Sequence, residues 1–225
     1  MSDFLTAVFY NKIEEMLALL AEGADKDAPD EYGTTALMLA SLSGDAEMVH
    51  ALLAVGADKE AKTNNGHSAL VLATKKGHAK IVQALLTAGA DTESKTTTGQ
   101  TALMLAYGNG RAEIFQLLLE AGADKEAKDN FGKTALMNAI ENSHPETVQA
   151  LLEAGADKEA KDNFGYTALM ISSLYGKLEI AQILLAAGAD KEATNDTGNT
   201  ALMIATYHNQ TETVQALLAA GADAG

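Results

Sequence analysis

The chain of 225 residues contains no cysteine and no tryptophan, only two prolines, and 16 lysine and arginine residues against 31 aspartate and glutamate residues. Without cysteine, disulfide bonds and thiolate metal sites are excluded. A formal charge of −15 argues against general binding to nucleic acid or to an anionic membrane, because both need a basic face. No apolar run approaches the ~18 residues of a membrane-spanning helix. The amino terminus lacks a basic segment before its short apolar stretch, so we expect no secretory signal and a cytoplasmic location.

The chain does contain a repeat of 33 residues. Glycine recurs six times at this spacing, and each copy opens a segment close to Gly-x-Thr-Ala-Leu-Met: Gly33, Gly66, Gly99, Gly132, Gly165 and Gly198. A Gly-Ala-Asp motif keeps the same period seven times, beginning at Gly23, Gly56, Gly89, Gly122, Gly155, Gly188 and Gly221. Strict self-similarity of this kind predicts a stack of similar supersecondary units. Function is then to be sought in what varies between the copies.

The segment Asp129 to Gly132 illustrates the start of a repeat. It predicts a turn, because asparagine and glycine adopt positive φ at little cost. Below we call the turn around each of the six glycines a finger turn. Thr134 is expected to cap a short first helix with its hydroxyl. That helix should begin at Ala135 and end near Asn142 and Ser143.

The second helix of this repeat is predicted from Pro145 to about Glu153. Pro145 suits the first helical turn, where a missing N–H costs nothing. Val148 and Leu151 fall at helical spacing on the side expected to be buried. Gly155 should end the helix in a left-handed conformation. Each repeat is therefore a loop followed by two short antiparallel helices.

This arrangement resembles the ankyrin repeat, and the resemblance covers essentially the whole chain. It rests on the finger-turn glycine, the Thr-Ala-Leu segment, the Gly-Ala-Asp motif and the small residue between the two helices. That small residue is Gly44, Gly77, Gly110 or Gly176, with Asn11, Asn209 and Ser143 as substitutes. The resemblance implies an all-α solenoid of stacked helix-turn-helix units with hairpin-like finger loops. It also implies one ankyrin-repeat domain over residues 1–225, divided into a cap at 1–29, repeats at 30–62, 63–95, 96–128, 129–161 and 162–194, and a C-terminal repeat at 195–225.

The sequence departs from the usual family motif Thr-Pro-Leu-His, since alanine and methionine stand in the proline and histidine places. A preorganised first turn and a histidine hydrogen bond are thereby replaced by helix propensity and packing. We expect the methionines of this position to lie in the core and not to form a redox or metal site: Met38, Met104, Met137, Met170 and Met203.

The two ends of the array differ in polarity. The first unit lacks a finger turn, begins with Ser2 as a candidate N-cap, and places Glu15 where later units carry Met48 or Ile81. A polar residue facing no neighbour is what a terminal cap needs. The last unit has no comparable polar face. Either its open face is tolerated, or the sequence is cut from a longer array.

Two irregularities in the middle repeats predict local softness. Asn138 replaces a leucine of the other copies, and a buried amide needs hydrogen-bond partners. The run Tyr107-Gly108-Asn109-Gly110 is expected to shorten a helix and to loosen its turn.

No catalytic or cofactor signature is found in the sequence. Gly132-Lys133-Thr134 resembles the end of a phosphate-binding loop, but Ala127 stands where that motif needs a glycine. His78 and His144 begin second helices, where we expect them to serve packing. The acidic residues that follow Gly-Ala-Asp alternate with lysines and predict a solvated, partly charge-compensated edge. We therefore expect no enzyme, no cofactor and no metal site.

The candidate partner-binding residues lie in the columns that vary. The family resemblance implies that finger turns and first helices line a concave face on which protein partners dock. Six of the eleven aromatic residues flank finger glycines or end first helices. Exposed aromatic clusters are typical anchors for protein partners. With one leucine they form the candidate set: Tyr32, Phe131, Phe164, Tyr166, Leu174, Tyr175 and Tyr207.

Two alternatives remain open for these columns. Phe131 and Phe164 occupy equivalent places and could simply stack on a neighbouring finger turn. Lys75 and Lys76 give the repeat 63–95 a local positive charge, which either receives an acidic segment or is a solvated helix end.

The leading hypothesis for function is a non-catalytic, monomeric protein–protein interaction module that binds a protein of unknown identity on its concave surface. A second is an engineered or consensus-derived scaffold without a native partner. Identical tracts at 125–132 and 158–165 favour it, and the idiosyncratic residues of 63–95 oppose it. A third is a regulatory subunit of an enzyme, which no feature of the sequence favours.

Overall fold

The computed structural model describes residues 2–106 and 111–223. Within these residues the chain forms fourteen α-helices and no strand, which confirms the all-α prediction. The helices are α1 Asp3–Phe9, α2 Ile13–Ala21, α3 Ala36–Ser43, α4 Ala46–Ala54, α5 Ala69–Lys76, α6 Ala79–Thr87, α7 Ala102–Leu105, α8 Ala112–Glu120, α9 Ala135–Glu141, α10 Pro145–Glu153, α11 Ala168–Leu174, α12 Leu178–Ala186, α13 Ala201–Tyr207 and α14 Thr211–Ala219. The segment Tyr107 to Gly110, where we expected a loosened turn, lies outside the described residues.

The described residues form two compact units. The first contains residues 2–106 and 111–124, and the second contains residues 125–223. In the first unit, α1, α3, α5 and α7 pack in one row, and α4, α6 and α8 pack in a second row. In the second unit, α9, α11 and α13 form one row and α10, α12 and α14 the other. The single domain over residues 1–225, with the repeat bounds given above, stays a prediction.

The repeat at 129–161 has the local structure that its sequence predicts, with one exception. Its helices α9 and α10 begin at Ala135 and Pro145, and Pro145 stands in the first turn. Gly155 is left-handed, with φ of +76°. Thr134 occupies the N-cap position, but its hydroxyl is buried and makes no capping hydrogen bond. The expected side-chain cap is therefore wrong at Thr134, whereas Thr167 does accept a bond from the Met170 N–H at 3.5 Å.

The turns between paired helices are left-handed, as expected from their glycine and asparagine residues. Gly44, Gly77 and Gly176 adopt positive φ. The three substitutes also reach the left-handed region, with φ of +53° at Asn11, +56° at Asn209 and +61° at Ser143. Asn138 is buried and donates its side-chain N–H to the Thr134 carbonyl at 3.1 Å. This bond satisfies one hydrogen-bonding group of the Asn138 side-chain amide. The local softness expected at this repeat stays a prediction.

The core of each unit consists of apolar side chains shared between successive helix pairs. Four of the five methionines lie in this core, and Met170 is only 1% exposed. The prediction is wrong for Met203, which is 49% exposed. Met203 lies in α13, which packs against α11 and α14, and these two helices leave its side chain half exposed.

Hydrogen bonds between neighbouring repeats recur with the period of the sequence. The N–H of Asn163 donates to the Phe131 carbonyl at 3.0 Å, and so joins two finger turns. The Glu159 carboxylate accepts the backbone N–H of Asp190 at 2.9 Å. The same carboxylate bond is made by Asp27, Glu60, Glu93, Glu126 and Glu192. The acidic edge that we expected to be merely solvated therefore also connects successive repeats.

The first helix pair has the polar features expected of an end. Ser2 caps α1 by accepting the Leu5 N–H at 3.3 Å. Glu15 is exposed and pairs with Lys12 at 2.8 Å between Nζ and Oε2. Its counterpart Met48 in α4 is fully buried. The substitution thus places a charge where the inner repeats have core.

Candidate functional site

Each finger turn is fixed by a side chain at its first position. In the repeat at 162–194, one Asp162 carboxylate oxygen accepts the backbone N–H groups of Phe164 and Tyr166, both at 2.9 Å. Asp129 holds Phe131 and Lys133 in the same way at 2.9 Å. The finger turn therefore orders the backbone of the residues whose side chains are candidates for binding.

In the repeat at 129–161, the residue after the finger glycine meets the end of the first helix, eight residues further on. The contact is explicit at Lys133, whose Nζ lies 2.6 Å from Oε1 of Glu141. Tyr166 and Leu174 occupy the equivalent positions of the next repeat, and Asn199 and Tyr207 those of the last. In these two sequence columns, an ionic pair in one repeat is replaced by a tyrosine and a leucine in the next.

The Lys133 ammonium of the repeat at 129–161 interacts with both aromatic and acidic groups. Its ammonium lies 5.8 Å from the centroid of the Phe131 ring, within the range of a cation–π contact. Burial disfavours its charge, but the hydrogen bond and the charge of Glu141, with contributions from Tyr175 and Asp129, outweigh burial and raise the pKa of Lys133. This lysine is thus held in its charged form beside two of the candidate aromatic residues.

A surface depression joins two further candidates in the last repeats. It has a volume of about 400 Å³ and is lined by Tyr166, Asn199, Met203, Ile204, Tyr207 and His208. The rings of Tyr207 and His208 meet edge to face, with centroids 5.1 Å apart and planes at 78°. The lining of the depression therefore combines the apolar side chains of Met203 and Ile204 with aromatic and polar groups.

The seven candidate residues differ in solvent exposure and in the compact unit to which they belong. Phe131, Phe164, Tyr175 and Tyr207 are exposed, and Tyr207 is 82% exposed. Tyr166 and Leu174 are half-buried. These six residues belong to the second unit, and Tyr32, also exposed, belongs to the first. Because Phe131 and Phe164 keep more than half of their surface exposed, contact with a neighbouring turn leaves their rings accessible.

Two exposed aromatic residues of the first unit escaped the sequence analysis. Phe9 and Tyr10 end α1 with their rings edge to face, 5.2 Å apart. They stand 33 residues before Leu42 and Ser43, in the same column as Tyr207 and His208. Aligning the first unit with the others, although it lacks a finger turn, would have found them.

The residues that begin the second helices have a structural role. Nε2 of His78 lies 3.3 Å from the Leu42 carbonyl of the preceding repeat. Gln210 donates from Nε2 to the Leu174 carbonyl at 3.5 Å. The packing role expected for His78 is confirmed, and this column does not contribute to the candidate surface.

Other kinds of site were sought among residues 2–106 and 111–223. No cluster of three or more histidine, aspartate or glutamate side chains there is arranged to hold a metal ion. In the same residues, no helix has the length and apolar character needed to cross a bilayer.

The comparisons with known proteins agree with the repeat. A family model described as ankyrin repeats in three copies matches residues 4–96, 81–162 and 155–225. The crystal structure of the ankyrin repeat domain of Bcl-3, described as a unique member of the IkappaB protein family, is similar with a TM-score of 0.87 and 30% identity, over 97% of this chain and 98% of that one. The human ASB11 ankyrin repeat domain is similar with a TM-score of 0.85 and 24% identity, over the whole of both chains. No curated protein matches the sequence significantly.

Proposed function

The chain belongs to the ankyrin-repeat family, and from this premise we propose that it is a non-catalytic module that binds a protein partner through the finger-turn side of residues 125–223. Ankyrin repeats are generally protein–protein interaction modules. The binding surface that we propose consists of Phe131, Phe164, Tyr166, Leu174, Tyr175 and Tyr207, and we call it the aromatic surface. We place Tyr32 at a separate contact in the first unit.

One observation carries the proposal: large aromatic side chains stand exposed on turns whose backbone is fixed. Burying a fully exposed phenylalanine side chain contributes about 1.5–3 kcal/mol before the costs of association. A rigid backbone lowers the entropy lost on binding. Phe131 and Phe164 meet both conditions, because their rings are exposed and the carboxylates of Asp129 and Asp162 accept their backbone N–H groups.

The electrostatics of this region favour binding over catalysis. A general acid or base needs a pKa near the working pH. The pKa of Lys133 is instead raised from its ordinary value, so the side chain stays charged at neutral pH. We infer that Lys133 serves as a fixed cation beside Phe131 and not as a proton carrier.

Our test is affinity capture from the native cells with quantification of the captured proteins. The test variant combines Phe164→Ala, Tyr175→Ala and Tyr207→Ala, which remove exposed rings and should leave folding intact. The control variant combines Phe9→Ala and Tyr10→Ala, which remove exposed rings from the first unit. We expect the test variant to lose at least one partner tenfold or more and the control to retain it. Equal capture by the test variant and the unsubstituted chain would contradict the proposal.

Part of the identical tracts that favoured a designed scaffold has a structural role. The identical tracts 125–132 and 158–165 contain the residues that join neighbouring repeats. Lys128 and Lys161 each donate from Nζ to a backbone carbonyl of the next repeat at 2.7 Å. Glu126 and Glu159 accept backbone N–H groups of the next repeat. These roles account for the glutamate and the lysine of each tract, and we propose a natural interaction module with a monomeric state and a cytoplasmic location.

A further inference from the structure

The carboxyl end of α5 presents two exposed lysines. Lys75 and Lys76 are the last two residues of this helix, and both are exposed. Neither forms an ion pair with a residue of 2–106 or 111–223. The guanidinium of Arg111 donates a hydrogen bond to the Lys75 carbonyl and so holds the backbone at the helix end. The two ammonium groups are therefore presented from an ordered backbone.

A histidine lies beside these lysines. His67 follows the finger glycine Gly66 and is half-buried. Burial lowers the pKa of His67, and the positive charge of Lys75 lowers this pKa further, so the two side chains lie close together. We call His67, Lys75 and Lys76 the basic patch.

The repeat that contains α9 has an ion pair at two of these positions. There Lys133 replaces His67 and Glu141 replaces Lys75, and Nζ of the lysine lies 2.6 Å from Oε1 of the glutamate. The basic patch receives no such carboxylate from its own stretch of the chain, because residues 63–90 contain no aspartate or glutamate. A carboxylate that pairs with these lysines must therefore come from elsewhere.

Two finger turns of the first unit keep their hydrogen bonds without a carboxylate. Thr63 stands in the position of Asp162, and its Oγ1 accepts the backbone N–H of His67 at 3.1 Å. Thr96 accepts the Gln100 N–H in the same way at 3.1 Å. Each threonine thus supplies the acceptor that the turn needs and omits the negative charge that aspartate would bring.

The surroundings of the basic patch are also poor in acidic residues. Helices α3, α5 and α7 pack in one row and contain no aspartate or glutamate. In the finger turns that precede these helices, the only acidic residues are Asp30 and Glu31. The Asp30 carboxylate already accepts the N–H groups of Tyr32 and Thr34. A chain with a formal charge of −15 is therefore locally basic along this row.

The fold does not require lysine at the end of a first helix. A cation near a helix C-terminus is favoured by the helix dipole by about 0.3–1 kcal/mol. Nevertheless, α1, α3, α7, α9, α11 and α13 have no basic residue in their last turn. Helix stability alone therefore does not account for two lysines in α5.

Charge and size select the occupant of the basic patch. A nucleic acid carries a charge on every phosphate, and beyond this small patch a chain of charge −15 would repel it. The acidic edge of a second copy matches poorly, because its acidic residues alternate with lysines and Glu126 there already accepts a backbone N–H. A protein segment with a few carboxylates matches the patch in both sign and extent.

We propose that the basic patch binds an acidic segment of a partner protein. Aspartate or glutamate side chains of that segment pair with Lys75 and Lys76. A carboxylate next to Lys75 then takes the part that Glu141 takes beside Lys133. This contact lies in the first unit and does not rest on the aromatic surface.

The test uses the full chain and a synthetic peptide of defined composition. The peptide is a fluorescein-labelled 12-mer in which glutamate and serine alternate, and it is titrated by fluorescence anisotropy in 0.15 M salt. At this salt concentration the Debye length is about 8 Å, so distant carboxylates of the chain are screened. A control peptide has glutamine in place of every glutamate. We expect saturable binding of the first peptide and at least fivefold weaker binding of the second.

Matched variants locate the binding. Lys75→Gln combined with Lys76→Gln removes two charges from the basic patch and should weaken peptide binding at least fivefold. Lys59→Gln combined with Lys80→Gln removes two charges from other parts of the first unit and should change the affinity less than twofold. Lys75→Arg combined with Lys76→Arg keeps the charges and should retain binding. Circular dichroism melting checks that every variant folds.

Three results of the titrations would overturn the proposal. These are no saturable binding of the glutamate–serine peptide, equal affinity of the unsubstituted chain and the Lys75→Gln, Lys76→Gln variant, and equal losses in the two glutamine variants. Phe164→Ala combined with Tyr207→Ala should leave peptide binding unchanged, so failure of this proposal and failure of the aromatic surface are distinguishable.

Two further measurements examine the other occupants. A labelled single-stranded 12-mer oligonucleotide that binds more tightly than the peptide, and is lost in the Lys75→Gln, Lys76→Gln variant, would assign the basic patch to nucleic acid. Sedimentation showing a dimer that the same variant dissociates would assign it to a second copy. Either result would overturn the proposal, and we expect neither.

Discussion

The helix pair α11–α12 and the helix pair α13–α14 carry nearly the same apolar pattern, yet one hides its methionine and the other exposes it. Met170 is 1% exposed and Met203 is 49% exposed. Gly165 and Gly198 share the same left-handed backbone, but only Gly165 has the next finger turn pressed against it. A repeat therefore specifies its own backbone, whereas burial depends on the neighbour that follows.

The largest effect that this comparison predicts concerns the two methionines. Met170→Ala removes a fully buried side chain and should lower the free energy of unfolding by about 2–5 kcal/mol. Met203→Ala removes a half-exposed one and should cost about 0.5 kcal/mol or less. Urea unfolding of the full chain, followed by circular dichroism, measures both. Similar losses in the free energy of unfolding of the two variants would contradict the conclusion that burial depends on the following repeat.

The finger glycines Gly165 and Gly198 extend the comparison between these two helix pairs. Alanine at Gly198 meets no atom within 4 Å and faces only the cost of its φ of +80°, about 1–2 kcal/mol. Alanine at Gly165 has the same backbone cost, and its Cβ would also lie 2.6 Å from the Asp196 backbone nitrogen. We expect Gly165→Ala to be the more destabilising by about 1–3 kcal/mol. Thermal melting of the two variants provides the measurement, and equal melting temperatures would count against the account.

A smaller effect extends the comparison to the facing pair of the repeat at 129–161. Lys133→Met removes a half-buried ion pair and should cost about 1 kcal/mol at pH 7. Because the pKa of Lys133 is raised in the folded protein, its pairing stabilises the fold below the unfolded pKa of about 10.4. That contribution is lost as the pH rises through the folded pKa. Unfolding curves of both proteins at pH 7 and above pH 10.5 should therefore converge at the higher pH, and a constant difference would exclude this role.

The smallest effect separates two N-caps that the sequence makes equivalent. Thr167→Val removes a capping bond and should cost about 0.5–1 kcal/mol. Thr134→Val removes a buried hydroxyl that has no partner, so it should be neutral or slightly stabilising. Parallel urea titrations measure the two changes, and a loss at Thr134 as large as that at Thr167 would show that its hydroxyl is bonded in solution.

Most of the fold was accessible from the sequence, because local rules determine it. The bounds of α9 and α10, the first-turn position of Pro145 and the left-handed Gly155 follow from propensities that act within a few residues. The exposure of Met203 did not follow from the repeat motif. Burial of this methionine position depends on the helix pair that packs against it, and the motif itself does not specify that pair. The unbonded hydroxyl of Thr134 did not follow either, since Thr134 and Thr167 occupy equivalent positions in the sequence and only Thr167 makes a capping bond.

The candidate surface was only partly accessible. Variation between copies identified the aromatic positions, but it did not show that the residue after a finger glycine can contact the end of the first helix. The Lys133–Glu141 pair makes this visible, because the two side chains are eight residues apart and meet at 2.6 Å. Phe9 and Tyr10 were missed because the first unit lacks the finger turn that served to align the others.

Site-specific photocrosslinking tests the central claim most directly. A photoreactive phenylalanine analogue replaces Tyr175 on the aromatic surface or, as a control, Gln182 on the exposed side of α12. Each protein is irradiated in extracts of the native cells, and crosslinked proteins are identified by mass spectrometry. The account predicts a discrete crosslinked partner at position 175 that is lost when Phe164 and Tyr207 are changed to alanine. Crosslinks to the same partner at position 182 but not at 175 would contradict it.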